Sequence, residues 1–232
     1  MGAQFVLHWI HVLAAVIWIG TLYFFNFFLM PFVEKTQAEV RIEVFRKLVP
    51  LTLTGFSWGA LATLLTGCAI YLERWVVIGN EGFFNLFYGP MISVAALLGV
   101  LMFLNGWFVM HPNQKAVIES ATAVAQGDKP IPEAAACGRR VVLTSRTNLL
   151  LSIPTIFFMV ASSHYPSMTV MTAGSSPAWF WIIILVILGA IEINALTGMQ
   201  GATKKPLDTV AGTLWEGFIL LAVFYALFRF LL

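Results

Sequence analysis

Six long apolar stretches, separated by shorter polar segments, run along the whole sequence. They predict helices over residues 5–30, 52–73, 89–110, 142–164, 178–200 and 209–231, each close to the roughly 20 residues that cross a bilayer. Only 10% of the residues are charged, whereas a soluble domain typically carries about 25%. We therefore predict an all-α integral membrane protein, a single bundle of about six transmembrane helices.

The cations between the predicted helices are concentrated in alternate connectors. The first, third and fifth connectors hold most of them, including Arg46, Lys129 and Lys204, while the fourth, residues 164–177, has no Lys or Arg. Connectors rich in Lys and Arg face the cytoplasm. We therefore expect both termini on the outer side, and the N-terminal apolar stretch to be a retained helix, since no positive segment precedes it.

Charge and cysteine spacing exclude several classes of function. The formal net charge of +2 and the lack of long basic runs argue against nucleic acid as a partner. Cys68 and Cys137 are distant, and no CxxC or CxxCH occurs, which excludes zinc ribbons, thioredoxin-like redox sites and covalently attached haem. On the predicted topology the two cysteines lie on opposite sides of the membrane and cannot form a disulfide.

Histidines in the predicted helices are the strongest candidates for chemistry. His11 lies about 9 Å below the outer surface, at about 1.5 Å per helical residue, and His164 closes the fourth helix on that side. Two such imidazoles are typical axial ligands of a b-type haem, although both also fit interfacial hydrogen bonding. His8 is one turn from His11 and is a candidate neighbour of that site. His111 closes the third predicted helix on the cytoplasmic side, away from the other histidines, and is better explained as an interfacial residue.

A glycine and two carboxylates complete the candidate residues. Gly67, at the expected depth of His11, would let a porphyrin approach helix two, or would serve helix packing together with Gly55 and Gly59. Glu192 and Glu216 lie in the inner third of the predicted bilayer, where ionisable groups are often functional. They form a candidate proton path, or are neutralised near the interface by the cations Arg146, Lys204 or Lys205.

Three segments resemble the membrane domain of PuuD-type urate oxidases. They are His8–Gly20 (HWIHVLAAVIWIG), Asn105–Lys115 (NGWFVMHPNQK) and the run from Asn148 through Pro154 to Ser163–Pro166 (SHYP). The resemblance covers helices one to four, and it matches His11 and His164 but not His8 or His111. It departs at Thr147, where urate-oxidising members are expected to carry histidine. A more distant similarity is to CopD-type and HemJ-type membrane proteins, which handle copper or haem-linked oxidation.

The resemblance implies a haem b held by His11 and His164 in a bacterial inner-membrane protein. In that family a c-type cytochrome follows the membrane domain; because this sequence has no CxxCH, a separate c-type cytochrome or respiratory complex is the expected electron partner. The implied function is electron transfer from a small reductant or a quinol. The alternatives are a non-catalytic accessory subunit of a membrane oxidoreductase, or a metal or small-solute transporter that uses Glu192 and Glu216.

Overall fold

The fold is known from a computed structural model that describes residues 2–164 and 177–232. Six of its helices are long and apolar enough to cross a membrane: α1 Ala3–Lys35, α2 Ala38–Ile78, α4 Tyr88–Ala125, α5 Ala134–His164, α6 Pro177–Leu196 and α7 Val210–Leu231. A short helix α3, Asn80–Asn85, precedes α4, and a 3₁₀ segment, Ala202–Asp208, precedes α7. The predicted all-α membrane fold with six spans is confirmed.

The helices extend well beyond the apolar stretches. Helix α1 continues past residue 30 to Lys35, and α2 begins at Ala38 rather than at 52, so most of the first connector is helical. Residues 112–125, beyond the third predicted helix at 89–110, are the continuation of α4. The change from apolar to charged residues marks the expected membrane surface and does not end a helix. In the first connector the helix is interrupted at Thr36 and Gln37.

Three π-helical turns carry these helices past proline residues. The described chain has π turns at Phe25–Leu29, Val44–Leu48 and Asn105–Met110, and a proline follows two residues after each: Pro31, Pro50 and Pro112. A proline inside an α-helix clashes with the carbonyl four residues earlier and removes a donor. In each case that carbonyl belongs to the π turn, whose wider ring accommodates the proline without ending the helix.

Helix α5 is the centre of the bundle and contacts α1, α4, α6 and α7. In the most apolar 18-residue stretch of α5, 72% is buried, whereas the corresponding share in the other five spans is 22–39%. It is nevertheless among the less hydrophobic spans, and its buried residues include Thr144, Arg146, Asn148 and Ser152. Lipid selects for apolar side chains on the outer helices, whereas polar groups are tolerated where protein surrounds them.

Glycines let two pairs of helices approach closely. A Cβ at Gly59 of α2 would lie 3.1 Å from the backbone nitrogen of Trp18 in α1. A Cβ at Gly217 of α7 would lie 2.9 Å from the carbonyl oxygen of Leu150 in α5. These positions follow the rule that small residues occupy helix contacts in membranes. Gly55, by contrast, has open space where a Cβ would be.

Candidate functional site

A cavity of about 310 Å³ lies among α1, α2, α4 and α5. Its walls are almost entirely apolar and include His11, Trp18, Gly67, Gly99, Met102 and Met159; we call it the His11 cavity. Leu72 and the exposed Cys68 also line it, so the cavity opens onto the side of the bundle. An apolar cavity with few polar groups is the usual form of a small-molecule or cofactor site.

His11 is held in one tautomer by groups on α2. Its Nδ1 lies 3.1 Å from the carbonyl oxygen of Thr63 and 3.0 Å from Oγ1 of Thr66. The Thr66 hydroxyl donates to the carbonyl oxygen of Ala62 at 2.6 Å, so towards His11 it can only accept. Because both neighbours of Nδ1 are acceptors, the hydrogen of the neutral ring belongs on Nδ1. The Nε2 lone pair is then left without a proton, as in metal-binding histidines whose other nitrogen donates to a carbonyl.

Gly67 lies directly against this imidazole. A Cβ at Gly67 would be 3.0 Å from Cε1 of His11, which is tighter than ordinary contact. The glycine therefore makes room for the histidine ring in its hydrogen-bonded position. The structure thus brings Gly67 and His11 together at one depth, and a further role of Gly67 beside a porphyrin stays a prediction.

The other histidines lie outside the lining of the His11 cavity. His164, the last residue of α5, is exposed, and its Nδ1 is 2.9 Å from the carbonyl oxygen of Val160. His8 is half-buried, with Nδ1 2.8 Å from the carbonyl oxygen of Gln4. His111 contacts Ser57 at 3.2 Å. Tyr165 and Pro166 of the SHYP segment, and most of the fourth connector, lie outside the described residues.

Two methionines share the cavity with His11, and sequence reasoning missed them. Met102 is fully buried on α4, and Met159 is on α5. Both supply a thioether sulfur, and the Thr155 hydroxyl contacts the Met102 sulfur at 3.7 Å. Neither stands out in the sequence, because a methionine inside an apolar stretch has no distinguishing pattern. Trp18, also in the wall, has a buried Nε1 with no hydrogen-bond partner among the described residues.

A buried hydrogen-bonded network links Glu192 to the central helix. Asn105 Nδ2 donates to Glu192 Oε1 at 3.0 Å and to Asn148 Oδ1 at 3.1 Å, and Asn148 Nδ2 donates to the carbonyl oxygen of Met102 at 2.9 Å. The network therefore reaches from α6 through α4 to α5. Asn105 and Asn148 were not predicted as site residues, although an asparagine within an apolar stretch is a usable signal of polar contacts between helices.

Glu216 does not take part in this network. It is half-buried on α7 and has no hydrogen bond or ion pair with any described residue. Arg146, Lys204 and Lys205 form no ion pair with either carboxylate in the described part of the chain. Lys204 has a buried Nζ without a hydrogen-bond partner there, and burial, together with the nearby charge of Arg139, lowers the pKa of its ammonium group.

A family model described as urate oxidase N-terminal matches residues 74–226. The match spans well over half of the chain and includes the methionines of the cavity, the asparagine network and both carboxylates. It begins after His11 and Gly67, so the histidine is placed by the geometry above and by the sequence resemblance of α1. No curated protein and no solved structure shows a significant match to the chain.

Proposed function

The chain belongs to the urate oxidase N-terminal family. We propose that it is a membrane b-type haem protein that transfers electrons. Its donor would be a small reductant or a quinol, and its acceptor an external c-type cytochrome or a respiratory complex. The observation that carries the proposal is the state of His11: Nδ1 is fixed by Thr63 and Thr66, and Nε2 is free beside an apolar cavity.

The residues of the His11 cavity fit a haem. The donor set comprises one imidazole and two thioethers, both known types of axial ligand. Gly99 lines the cavity, and a Cβ there would meet no atom within 4 Å, so the space beside this residue is unfilled. We propose His11 as one axial ligand and His164 as the second, with Met102 and Met159 as the alternative donors that the cavity itself presents.

The protein itself would bind the haem, fix its orientation and shield it from water. Haem supplies one-electron chemistry, at a potential set by its ligands and surroundings. The apolar walls exclude water, and the Thr63 carbonyl and Thr66 hydroxyl hold the imidazole at a fixed orientation. We place the protein in the bacterial inner membrane with both termini outside, which puts His11 near the face where an external cytochrome would dock.

The visible spectrum of the detergent-purified protein tests the function first. We expect a sharp low-spin b-type signal in the dithionite-reduced minus oxidised spectrum, and about one haem per chain by pyridine haemochrome. A featureless spectrum from protein purified with haem supplied throughout would contradict the proposal. It would favour a non-catalytic accessory subunit, or a transporter of metal or small solutes.

Protons are proposed to travel along Glu192 and Glu216, from the cytoplasmic side. Of the two, only Glu192 is joined to the central helix, through Asn105 and Asn148. Glu192→Gln keeps an oxygen acceptor for Asn105 but cannot ionise. We expect it to slow quinol-driven haem reduction at least about tenfold, in line with the loss of a proton-transfer group, with haem content unchanged. Stopped-flow spectroscopy measures the rate.

Glu216→Gln tests the second carboxylate of the proposed path separately. Because Glu216 has no partner among the described residues, its replacement should slow reduction less than Glu192→Gln does. A full reduction rate in the Glu192→Gln protein would rule out the proton role. Loss of solute uptake in the Glu192→Gln protein, in a chain that binds no haem, would instead support the transporter alternative.

A further inference from the structure

A second, smaller cavity lies in the other half of the bundle, and every residue that lines it is buried or half-buried. All three π turns contribute to its wall, through residues such as Asn26, Phe45 and Met110. Arg146 of α5 also lines it, and we call it the Arg146 cavity. No described residue lines both cavities, and on α5 the nearest lining residues, Arg146 and Thr155, are nine positions apart, about 14 Å along the helix, so the two cavities are separate sites.

Arg146 brings an unpartnered positive charge to this cavity. The residue is 6% exposed, and its Nη1 is buried without a hydrogen-bond partner among the described residues. The exposed Glu34 of α1 is the acidic group whose charge acts on Arg146, but no ion pair joins them within 4.0 Å. Burying a guanidinium without a counter-charge costs several kcal/mol. An arginine in this state indicates a site that is complete only when an anion binds.

Two neutral side chains add donors beside the guanidinium. Ser145 Oγ accepts a hydrogen bond from Asn26 Nδ2 at 2.9 Å, so the Ser145 hydroxyl hydrogen is left to donate elsewhere. Gln114 is 7% exposed, and its amide forms no hydrogen bond with another described residue. Both residues line the Arg146 cavity. A set of N–H and O–H donors around one cation is the chemistry that recognises an anion.

The size of the cavity sets the size of that anion. The cavity volume is about 40 Å³, and one water-sized group takes roughly 10–15 Å³ by the same measure. A quinone ring, a purine or a whole lipid headgroup therefore does not fit. We propose that the Arg146 cavity binds a compact monovalent anion, a halide or a carboxylate of formate size, on Arg146, Ser145 and Gln114.

Anion-dependent thermal stability tests this site. In detergent at constant ionic strength, chloride or formate replaces gluconate, which is too large for the cavity. A ligand that binds the folded state raises Tm by mass action, and at 100 times Kd we expect a rise of about 5 to 10 °C. A rise in Tm with chloride but not with formate would identify a halide site, and the opposite result would identify a carboxylate site. An equal Tm in all three salts would overturn the proposal.

Arg146→Met tests which residue carries the effect. The variant removes the buried charge and keeps an apolar side chain in its place, so Tm in gluconate should equal or exceed that of the wild-type protein. Its Tm should no longer respond to chloride or formate, and a retained response would contradict the assignment. Arg139→Met, which removes a partly exposed arginine paired with Asp208, is the control and should keep the response.

A second variant, which leaves the charge of Arg146 in place, tests the site if Arg146→Met does not fold. Gln114→Leu removes an amide donor and keeps the side-chain volume similar. We expect it to weaken anion binding at least about tenfold, because hydrogen bonds to charged groups are among the stronger ones. Unchanged affinity in Gln114→Leu would remove Gln114 from the site. None of these measurements needs haem, so their failure is distinct from a failure of the proposed function.

Discussion

Replacing His11 by alanine is expected to abolish haem binding, leaving less than about one tenth of the wild-type haem content in the purified protein. The substitution removes the imidazole whose Nε2 is free beside the cavity and leaves the Thr63 carbonyl in place. Relative to haem-free wild-type protein, stability should fall by only about 1 kcal/mol, the net value of one hydrogen bond. Pyridine haemochrome analysis and a thermal melt of the same preparation measure both quantities.

Two controls make this result specific to His11. His8→Ala removes a histidine one turn away that does not line the cavity, and it should keep full haem. Imidazole added to His11→Ala protein should restore part of the haem signal, since the vacated space leads into the cavity. Full haem in His11→Ala would refute the ligand assignment, and His164→Ala, measured in parallel, tells whether His164 or one of the methionines is the second ligand.

Filling the His11 cavity from the opposite wall should have nearly the same effect. In Gly99→Leu the new side chain is attached to a residue that lines the cavity, at a position where a Cβ meets no atom within 4 Å. We expect haem content below about one fifth of wild type, and a Tm equal to or higher than that of haem-free wild-type protein, because filling an apolar void adds contacts without strain. The readouts are again the haemochrome and the melt.

Gly189→Leu is the matched control for this cavity-filling variant. Gly189 of α6 is also open where a Cβ would be, but it lies outside the lining of the cavity. The same added leucine should therefore leave haem content at the wild-type level. Normal haem in Gly99→Leu would show that the cavity is not the haem site, even if His11 proved to be a ligand.

The six spans were predictable because lipid imposes the same requirement on every crossing segment. The ends of the helices were not: the sequence places them near residues 30 and 110, where apolar residues give way to Pro31 and Pro112. A π turn before each proline relieves the steric conflict, and a hydrophobicity pattern contains no information about that local adjustment.

The site was predictable only in part, for a related reason. His11 stands out because imidazole is rare in an apolar stretch, and the structure supplies its tautomer and its cavity. His164, chosen by the same logic, is exposed in the described structure. The contribution of Met102, and the unpartnered state of Arg146, depend on how α4 and α5 pack. These properties depend on how two helices pack together, and the residue pattern along a single helix does not specify that packing.

The polarity of α5 has a consequence for how the chain enters the membrane during synthesis. Alone in lipid, this helix would expose Arg146, Asn148 and Ser152, which the finished bundle buries. Arg146 lies four residues inside the stretch predicted to cross the bilayer, residues 142–164, and a charged side chain within a span opposes insertion. Helices α1 and α4, made earlier, already offer the groups that contact α5. Integration of α5 is therefore expected to depend on its predecessors, so that biogenesis proceeds as a cooperative event among helices rather than one segment at a time.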